Sequence, residues 1–481
     1  MRIISGGKGI DIPFTRRVLL SELLTQAGIP FDSPCGGKGI CGKCTVEASG
    51  SLEPRPQNGR CLACRTWATG DDVTVRTGAG SDVIGITDSS VLLKGGTGLP
   101  LTGDEVCSGL AVDIGTTTVA GYLYALPEGK LLGSLCLPNP QAQYGADVIS
   151  RIEYASSGGL KQLTRMIRDT VADLCKELGA ENCRRRVLVG NTVMLHLYAG
   201  LDPTGIARAP FTPVSLFGSS FNGADETLVR CISSYLGADT VAAVLASGMS
   251  EREETALLID IGTNGEMVLS HNGLLIGCST AAGPAFEGAQ ISQGMRYAPG
   301  AIDRVGVSEG RVVYTTVGDK KAVGICGSGL INAAACMLAL GVMDETGYIE
   351  ESWEIADSGV FITAGDVRKL QTAKAAIRAG VDVILDRTGI SADEIDTLYL
   401  AGGFGSFADM GSCSAIGMIP AELVPRVKVL GNAAGAGASM VLLDRRNLER
   451  TEEIANRCEV LELSGDSGFA DAFIERMMFE E

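Results

Sequence analysis

Apolar and polar positions follow two different rhythms along this chain, and the change comes near residue 108. Before it, apolar runs are short. Arg2 to Ser5 and Ile10 to Phe14 predict two brief strands around a Gly6-Gly7 turn. Leu19, Leu20, Leu23 and Leu24 share a helical face, and Gly28 ends that helix. Thr45 to Ala48 predicts another strand, and Val73 to Val75 a closing one. Residues 1–78 therefore read as one small α+β domain. Residues 79–107 are rich in Gly, Ser and Thr, with Gly95-Gly96-Thr97-Gly98 in the middle, and read as a flexible linker or a small ordered subdomain.

From Ser108 onward longer strands alternate with helices, which predicts an α/β unit. Leu110 to Val112 runs into Asp113-Ile114-Gly115-Thr116-Thr117-Thr118, and Val119 to Tyr124 resumes a strand. Leu160, Leu163, Ile167, Val171, Leu174 and Leu178 line one face of a helix that Gly179 stops. Val187 to Val189 predicts a buried strand ending at Gly190-Asn191-Thr192. The first pattern then returns. Ala256 to Ile259 runs into Asp260-Ile261-Gly262-Thr263-Asn264-Gly265, and Met267 to Ser270 resumes. Strand, Gly-Thr turn, strand, met twice, predicts a duplicated α/β domain with facing halves at 108–250 and 251–481. A helix over Val367 to Leu385 precedes a third turn at Ala401-Gly402-Gly403.

Composition narrows the function. A net charge of −17 repels nucleic-acid phosphates but suits a partner with a basic patch. No signal peptide opens the chain and no apolar run has the length of a membrane span, so a cytoplasmic protein is expected. Fifteen cysteines could suggest disulfides, yet most are scattered inside apolar segments such as Ala335-Cys336-Met337. They read as buried thiols of a reducing compartment. With only His196 and His271 present, histidine-based catalysis is not expected.

Four cysteines stand apart from the rest. Cys35-Gly36-Gly37-Lys38-Gly39-Ile40-Cys41-Gly42-Lys43-Cys44 places three thiols on a loop too glycine-rich for a helix, and Cys64 follows twenty residues later. Glycines let a chain wrap tightly around a small inorganic core. Plant-type 2Fe–2S ferredoxins use C-x4-C-x2-C plus a distant cysteine. Here the first gap holds five residues, as in the adrenodoxin-like branch, and the domain resembles a β-grasp ferredoxin. Cys35, Cys41, Cys44 and Cys64 are then the ligands and Cys61 a bystander. A zinc ribbon built on Cys41, Cys44, Cys61 and Cys64 also fits the spacing, but leaves Cys35 and the glycines unexplained. Gly37-x4-Gly42-Lys43 nearly matches a phosphate loop, yet no strand-to-helix context surrounds it.

The Asp-x-Gly-Thr turns carry the second chemistry. Successive N–H groups form an anion-binding concavity, glycine admits a phosphate closely, and threonine hydroxyls add donors. An aspartate cannot bind phosphate but can hold Mg²⁺ through water. Two such turns would clamp a polyphosphate, with Gly402-Gly403 leaving room for adenine or ribose. The order of the three turns resembles the ASKHA superfamily of sugar kinases, chaperone ATPases and actin. That resemblance implies that Gly115, Thr116, Thr117 and Thr118, with Gly262, Thr263, Asn264 and Gly265, contact the phosphates of ATP. It implies that Asp113 and Asp260 position Mg²⁺ and the attacking water. Gly324 to Leu330 sits where the superfamily's connecting helices lie, and its small residues suit close helix crossing.

A ferredoxin fused to such an ATPase resembles the reductive activators of corrinoid proteins. The likeness includes Asn139-Pro140-Gln141 with Tyr144-Gly145-Ala146-Asp147, Gly190-Asn191-Thr192-Val193, Gly283-Pro284-Ala285-Phe286-Glu287-Gly288, and Ala298-Pro299-Gly300. It implies an ATP-dependent enzyme that returns a Co(II) corrinoid to Co(I) for methyl transfer. It also implies a corrinoid protein partner, an external electron donor and a possible homodimer. Larger members carry a middle domain between ferredoxin and ATPase that is expected to be missing here. The competing readings are an activator of another low-potential enzyme, such as a dehydratase, and a small-molecule kinase with a regulatory cluster.

Overall fold

The computed structural model describes residues 2–5, 8–14, 17–27, 29, 39, 44–70, 72–77, 107–126, 128–180, 183, 185–218, 226–403 and 408–479. Cys35, Cys41 and all of the predicted linker except Cys107 lie outside the described residues.

The N-terminal domain is a mixed sheet under one helix. Its main strands are β1 (Arg2–Ser5), β2 (Lys8–Asp11), β3 (Thr45–Ser49), β4 (Arg60–Leu62) and β5 (Thr74–Thr77), with helix α1 (Leu20–Gln26). The sheet order is β2-β1-β5-β3-β4. The second strand starts at Lys8 rather than Ile10, because the turn is short enough for Ser5 to pair with Lys8. The closing strand lies parallel to the first, Arg2 opposite Thr74, as a β-grasp requires. Leu20, Leu23 and Leu24 bury the helix against Ile3, Val46 and Val75.

The rest of the chain repeats one topology twice. The first half holds β6 (Cys107–Ile114), β7 (Thr118–Leu126), β8 (Lys130–Pro138), β9 (Arg185–Gly190) and β10 (Glu226–Leu228), ordered β8-β7-β6-β9-β10. The second holds β11 (Ala256–Ile261), β12 (Gly265–His271), β13 (Leu274–Thr280), β14 (Thr397–Ala401) and β15 (Val427–Gly431), ordered β13-β12-β11-β14-β15. In each half two antiparallel hairpins are followed by two parallel pairs. Among the described residues only the second half adds a strand at its outer edge, β16 (Cys458–Val460). The duplication expected from the two Asp-Ile-Gly-Thr turns is thus a duplication of whole sheets.

Helices cover both faces. In chain order they include α2 (Val148–Tyr154), α3 (Leu160–Glu177), α4 (Thr192–Ala199), α5 (Ala238–Ser247), α6 (Gly327–Ala339), α7 (Ala364–Thr388) and α8 (Ala433–Leu443). The helix predicted from Leu160 runs to Glu177, and Gly179 follows in the left-handed conformation. A capping box of Thr363 and Asp366 starts α7, and left-handed Gly389 ends it.

α8 belongs to the second half by sequence but joins the core of the first. Ala433, Ala438, Val441 and Leu442 pack in one apolar cluster with Leu110, Tyr122 and Val241. Its glycines make this possible. A Cβ on Gly437 would lie 2.1 Å from the carbonyl oxygen of Ala242 in α5, and one on Gly435 2.5 Å from the Tyr122 ring. Because backbone cannot yield as a side chain can, Gly437→Ala is expected to cost about 1–3 kcal/mol of stability. Denaturant unfolding of the variant, followed by tryptophan-independent circular dichroism, checks this. A variant as stable as the parent would mean that the helices can slide apart freely.

Candidate functional site

The two Asp-x-Gly-Thr turns open onto one cleft of about 280 Å³ between the halves. Asp113, Gly115, Thr116, Thr117 and Thr118 line one wall. Asp260, Gly262, Thr263, Asn264, Gly402 and Gly403 line the other. Among the predicted nucleotide residues only Gly265 is not in the lining. A Cβ there would meet Ile377 of α7 at 2.2 Å, so this glycine admits a helix, not a phosphate. Gly402 is likewise required by the protein itself: a Cβ would lie 2.5 Å from the Ile261 carbonyl and 2.6 Å from an Asp260 carboxylate oxygen. Gly403 faces open space.

The first turn is braced from behind by residues whose role the sequence did not reveal. Asn139 donates from Nδ2 to the Gly115 carbonyl (2.9 Å) and from its backbone N–H to the Thr117 carbonyl (2.9 Å). Arg151, fully buried in α2, donates from Nη2 to the Thr116 carbonyl (2.5 Å) and from Nε to the Gly145 carbonyl (3.1 Å). In a trans peptide the C=O and the next N–H point opposite ways. Holding the carbonyls of Gly115 and Thr116 from outside therefore directs the N–H groups of Thr116 and Thr117 the other way. Burial pulls the Arg151 guanidinium down to about 10, while Asp147 and Glu287 favour its charge. It stays cationic at neutral pH behind the turn.

Between the walls five carboxyl groups crowd together, with the Arg296 guanidinium also in the lining. Asp113, Asp239, Asp260, Glu266 and Glu287 all line the cleft. Asp239 sits in the first turn of α5, where the helix N-terminus favours an anion and the Thr240 N–H donates to it (2.8 Å). Glu266 stands directly opposite Asp260 in the β11–β12 ladder. Burial, then the nearby Asp239 charge, pushes Asp260 up to about 7. The same two causes push Asp113 up to about 7, with Asp260 adding to the effect and the Asn432 amide opposing it. Burial lifts Asp239 to about 6 and raises Glu266 well above the usual carboxylate range. Asn432, the N-cap of α8, donates from Nδ2 to Asp113 (3.0 Å) and so ties second-half backbone to a first-half carboxylate. Asp239, Glu266, Glu287 and Asn432 were not assigned to the site by sequence reasoning. Glu266 had a local signal, being the acid that follows the second turn, and Glu287 stood inside a family motif without a role.

A divalent cation fits this charge, since it offsets carboxylates that otherwise repel one another. Among the described residues no group of three His, Cys, Asp or Glu side chains converges on a bare metal ion. Mg²⁺, which keeps much of its water, suits such a spread-out donor set. In the ferredoxin domain, β3 pairs with β4, and the Ala63 N–H extends the ladder to the Cys44 carbonyl (2.9 Å). That brings the buried Cys44 and Cys64 sulfurs to 3.2 Å, close enough to serve one iron. Cys61 lies within β4, and burial pushes its thiol up.

Three family models cover the chain. A 2Fe–2S iron–sulfur cluster binding domain matches residues 3–69, the RACo middle region residues 108–252, and the C-terminal ASKHA domain of RACo residues 254–481. A solved reductive activator for a corrinoid, iron–sulfur protein is 30% identical, with 99% of this chain and 98% of that one aligned at a TM-score of 0.72. The chain belongs to the family of reductive activators of corrinoid proteins. The corrinoid activation enzyme RamQ of Eubacterium limosum is 28% identical over 98% of this chain and 97% of its own. A Co(II) methylated amine-specific corrinoid protein reductase of Methanosarcina barkeri is 26% identical over 73% of this chain and 72% of its own. The activator therefore carries a 2Fe–2S ferredoxin domain and an ASKHA ATPase, which removes the zinc ribbon. One expectation is corrected. The middle region is not missing: it is residues 108–252, the sheet that supplies the first turn.

The raised carboxyls of the activator make a pH prediction. Each binds its proton more tightly when folded than when unfolded, where aspartate titrates near 3.9. Their contribution to stability is fully present below about pH 4 and is lost as pH rises through about 6 to 7. The nucleotide-free protein should melt lower at about pH 8 than at about pH 6, and Asp260→Asn should flatten that slope. Differential scanning calorimetry of both proteins at the two pH values decides. Equal slopes would contradict the low-dielectric setting of Asp260.

Proposed function

We propose that this chain regenerates the Co(I) form of a corrinoid protein, passing one electron from its 2Fe–2S cluster to Co(II) in an ATP-dependent step. The observation that carries the reading is the facing of the two turns. The hydroxyls of Thr117 and Thr263 lie 2.9 Å from the two oxygens of one carboxylate, so a single polyphosphate would meet both. Asp113 and Asp260 would hold Mg²⁺ through water and orient the attacking water. Gly115 to Thr118 and Gly262 to Asn264 would surround the phosphates, with the open space at Gly403 of the Gly402-Gly403 turn left for adenine or ribose.

Cys35, Cys41, Cys44 and Cys64 would hold the cluster, which supplies one-electron chemistry near −400 mV in plant-type ferredoxins. Co(I) is harder still to form, and every 59 mV of shortfall costs tenfold in a one-electron equilibrium. ATP closes such a gap only if nucleotide state changes the affinity for one cobalt form over the other. The activator works in the cytoplasm in this reading, refilled by an external low-potential donor and able to pair as a homodimer. Among the described residues no helix is long and apolar enough to cross a membrane.

The decisive experiment is anaerobic mixing of the reduced protein with a Co(II) corrinoid protein of a methyltransferase, with and without ATP, followed by visible absorbance. Co(I) bands that appear only with ATP support the proposal; equal reduction without ATP contradicts it. Asp113→Asn and Asp260→Asn should each slow ATP hydrolysis by about a hundredfold or more while leaving the cluster spectrum intact. Normal hydrolysis in both would make the turns structural. Cys64→Ser should lose or alter the visible cluster spectrum and Cys61→Ser should keep it. The opposite pattern would reassign the fourth ligand.

A further inference from the structure

Glu287 lines the cleft and touches both turns, and the reading of the cleft as a nucleotide site leaves that contact without a function. Its Oε1 accepts from the Thr117 hydroxyl of the first turn and its Oε2 from the Thr263 hydroxyl of the second, both at 2.9 Å. One carboxylate thus joins the two halves through the donors that a bound phosphate would use. A hydroxyl has one proton to donate. While Glu287 holds both, neither serves a phosphate, and a phosphate oxygen brought close would meet a like charge.

The backbone under Glu287 is wedged in place. The residue ends a short 3-10 turn, Pro284–Glu287, between the left-handed glycines Gly283 and Gly288. A Cβ on Gly288 would lie 2.2 Å from the Met295 carbonyl oxygen, and one on Gly327, at the start of α6, 1.9 Å from that of Phe286. Such packing resists a shift of the turn, so the carboxylate leaves by rotation of its own side chain.

We propose that Glu287 is a built-in phosphate surrogate: it latches the two turns together in the nucleotide-free protein, and the terminal phosphate of a nucleoside triphosphate displaces it. A diphosphate, one phosphate shorter, leaves the latch closed. The residue then sets the discrimination between triphosphate and diphosphate. This rests on the reading of the cleft as a nucleotide site.

Calorimetric titration with Mg²⁺ and either ADP or the non-hydrolysable β,γ-imido analogue of ATP tests the latch on the full-length protein. A latch closed nine-tenths of the time lowers apparent triphosphate affinity about tenfold. Glu287→Ala should therefore tighten the imido analogue about tenfold and leave ADP within about threefold. Glu287→Gln keeps the volume and one acceptor oxygen, so a smaller gain in the same direction is expected, and it decides the matter should the alanine variant not fold. Unchanged triphosphate affinity, an equal gain for both nucleotides, or weaker binding would overturn the latch; the last would make Glu287 a group that holds the magnesium nucleotide. A parent protein that binds neither nucleotide would overturn the nucleotide site and the latch with it.

Discussion

Mutual repulsion among five carboxylates in one cleft is the constraint on which the rest of this structure turns. Asp113, Asp239, Asp260, Glu266 and Glu287 come from strands, a helix and a short turn in two separate sheets. Left to themselves they would push those elements apart. The fold answers locally at each one. A helix N-terminus and an N–H serve Asp239, the Asn432 amide serves Asp113, and two threonine hydroxyls serve Glu287. Burial first, and then the neighbouring Asp239 charge, leaves Asp113 and Asp260 with raised proton affinity. Such a cleft is primed to accept a cation together with a polyanion, and is poorly suited to either alone.

The repeated topology explains how this arrangement arises from an ordinary α/β fold. Each sheet carries its aspartate close to the C-terminal end of its central strand, just before the hairpin turn. Facing the two halves then brings two equivalent turns together without any special loop. The halves are not equal in electrostatic terms. Asn432 reaches Asp113, whereas Asp260 is pressed against Gly402 and stands opposite Glu266. Asymmetry laid on a symmetric frame lets one carboxylate differ from its twin.

Much of this was legible in the sequence, and the limits are physical. Periodicity located α3 and α7 and the strands around both turns, because those elements bury one continuous face. The two Asp-Ile-Gly-Thr motifs marked the cleft, because a phosphate-binding turn needs contiguous backbone. Asp239 and Asn432 were not legible, since each reaches the cleft from a distant element and no local pattern announces that; Glu287 stood inside a motif of the family, but its place between the two turns was not legible. The glycines were legible as a group but not in their roles. Gly265 and Gly402 are small because Ile377 and Asp260 need the space, which only tertiary packing reveals. Asn139 stood inside a motif of the family and Arg151 just beyond it, yet their work lies behind the turn, on carbonyl groups. Cys61 and Cys64 differ by three positions, and the strand that contains Cys61 separates them.

The helix Ala433–Leu443 has a consequence for how the chain comes into being. Family models divide the ATPase between residues 252 and 254, but this helix crosses that division and packs against Ala242 and Tyr122. As a ribosome releases the chain from its N-terminus, the first sheet emerges complete while an apolar side remains uncovered. Its cover lies some 180 residues downstream, about ten to forty seconds of synthesis away. Until then the first half presents a sticky face to the cell, and its twin emerges beside it with a closely related topology. Mispairing between the two sheets is therefore the characteristic hazard of this duplicated architecture during synthesis.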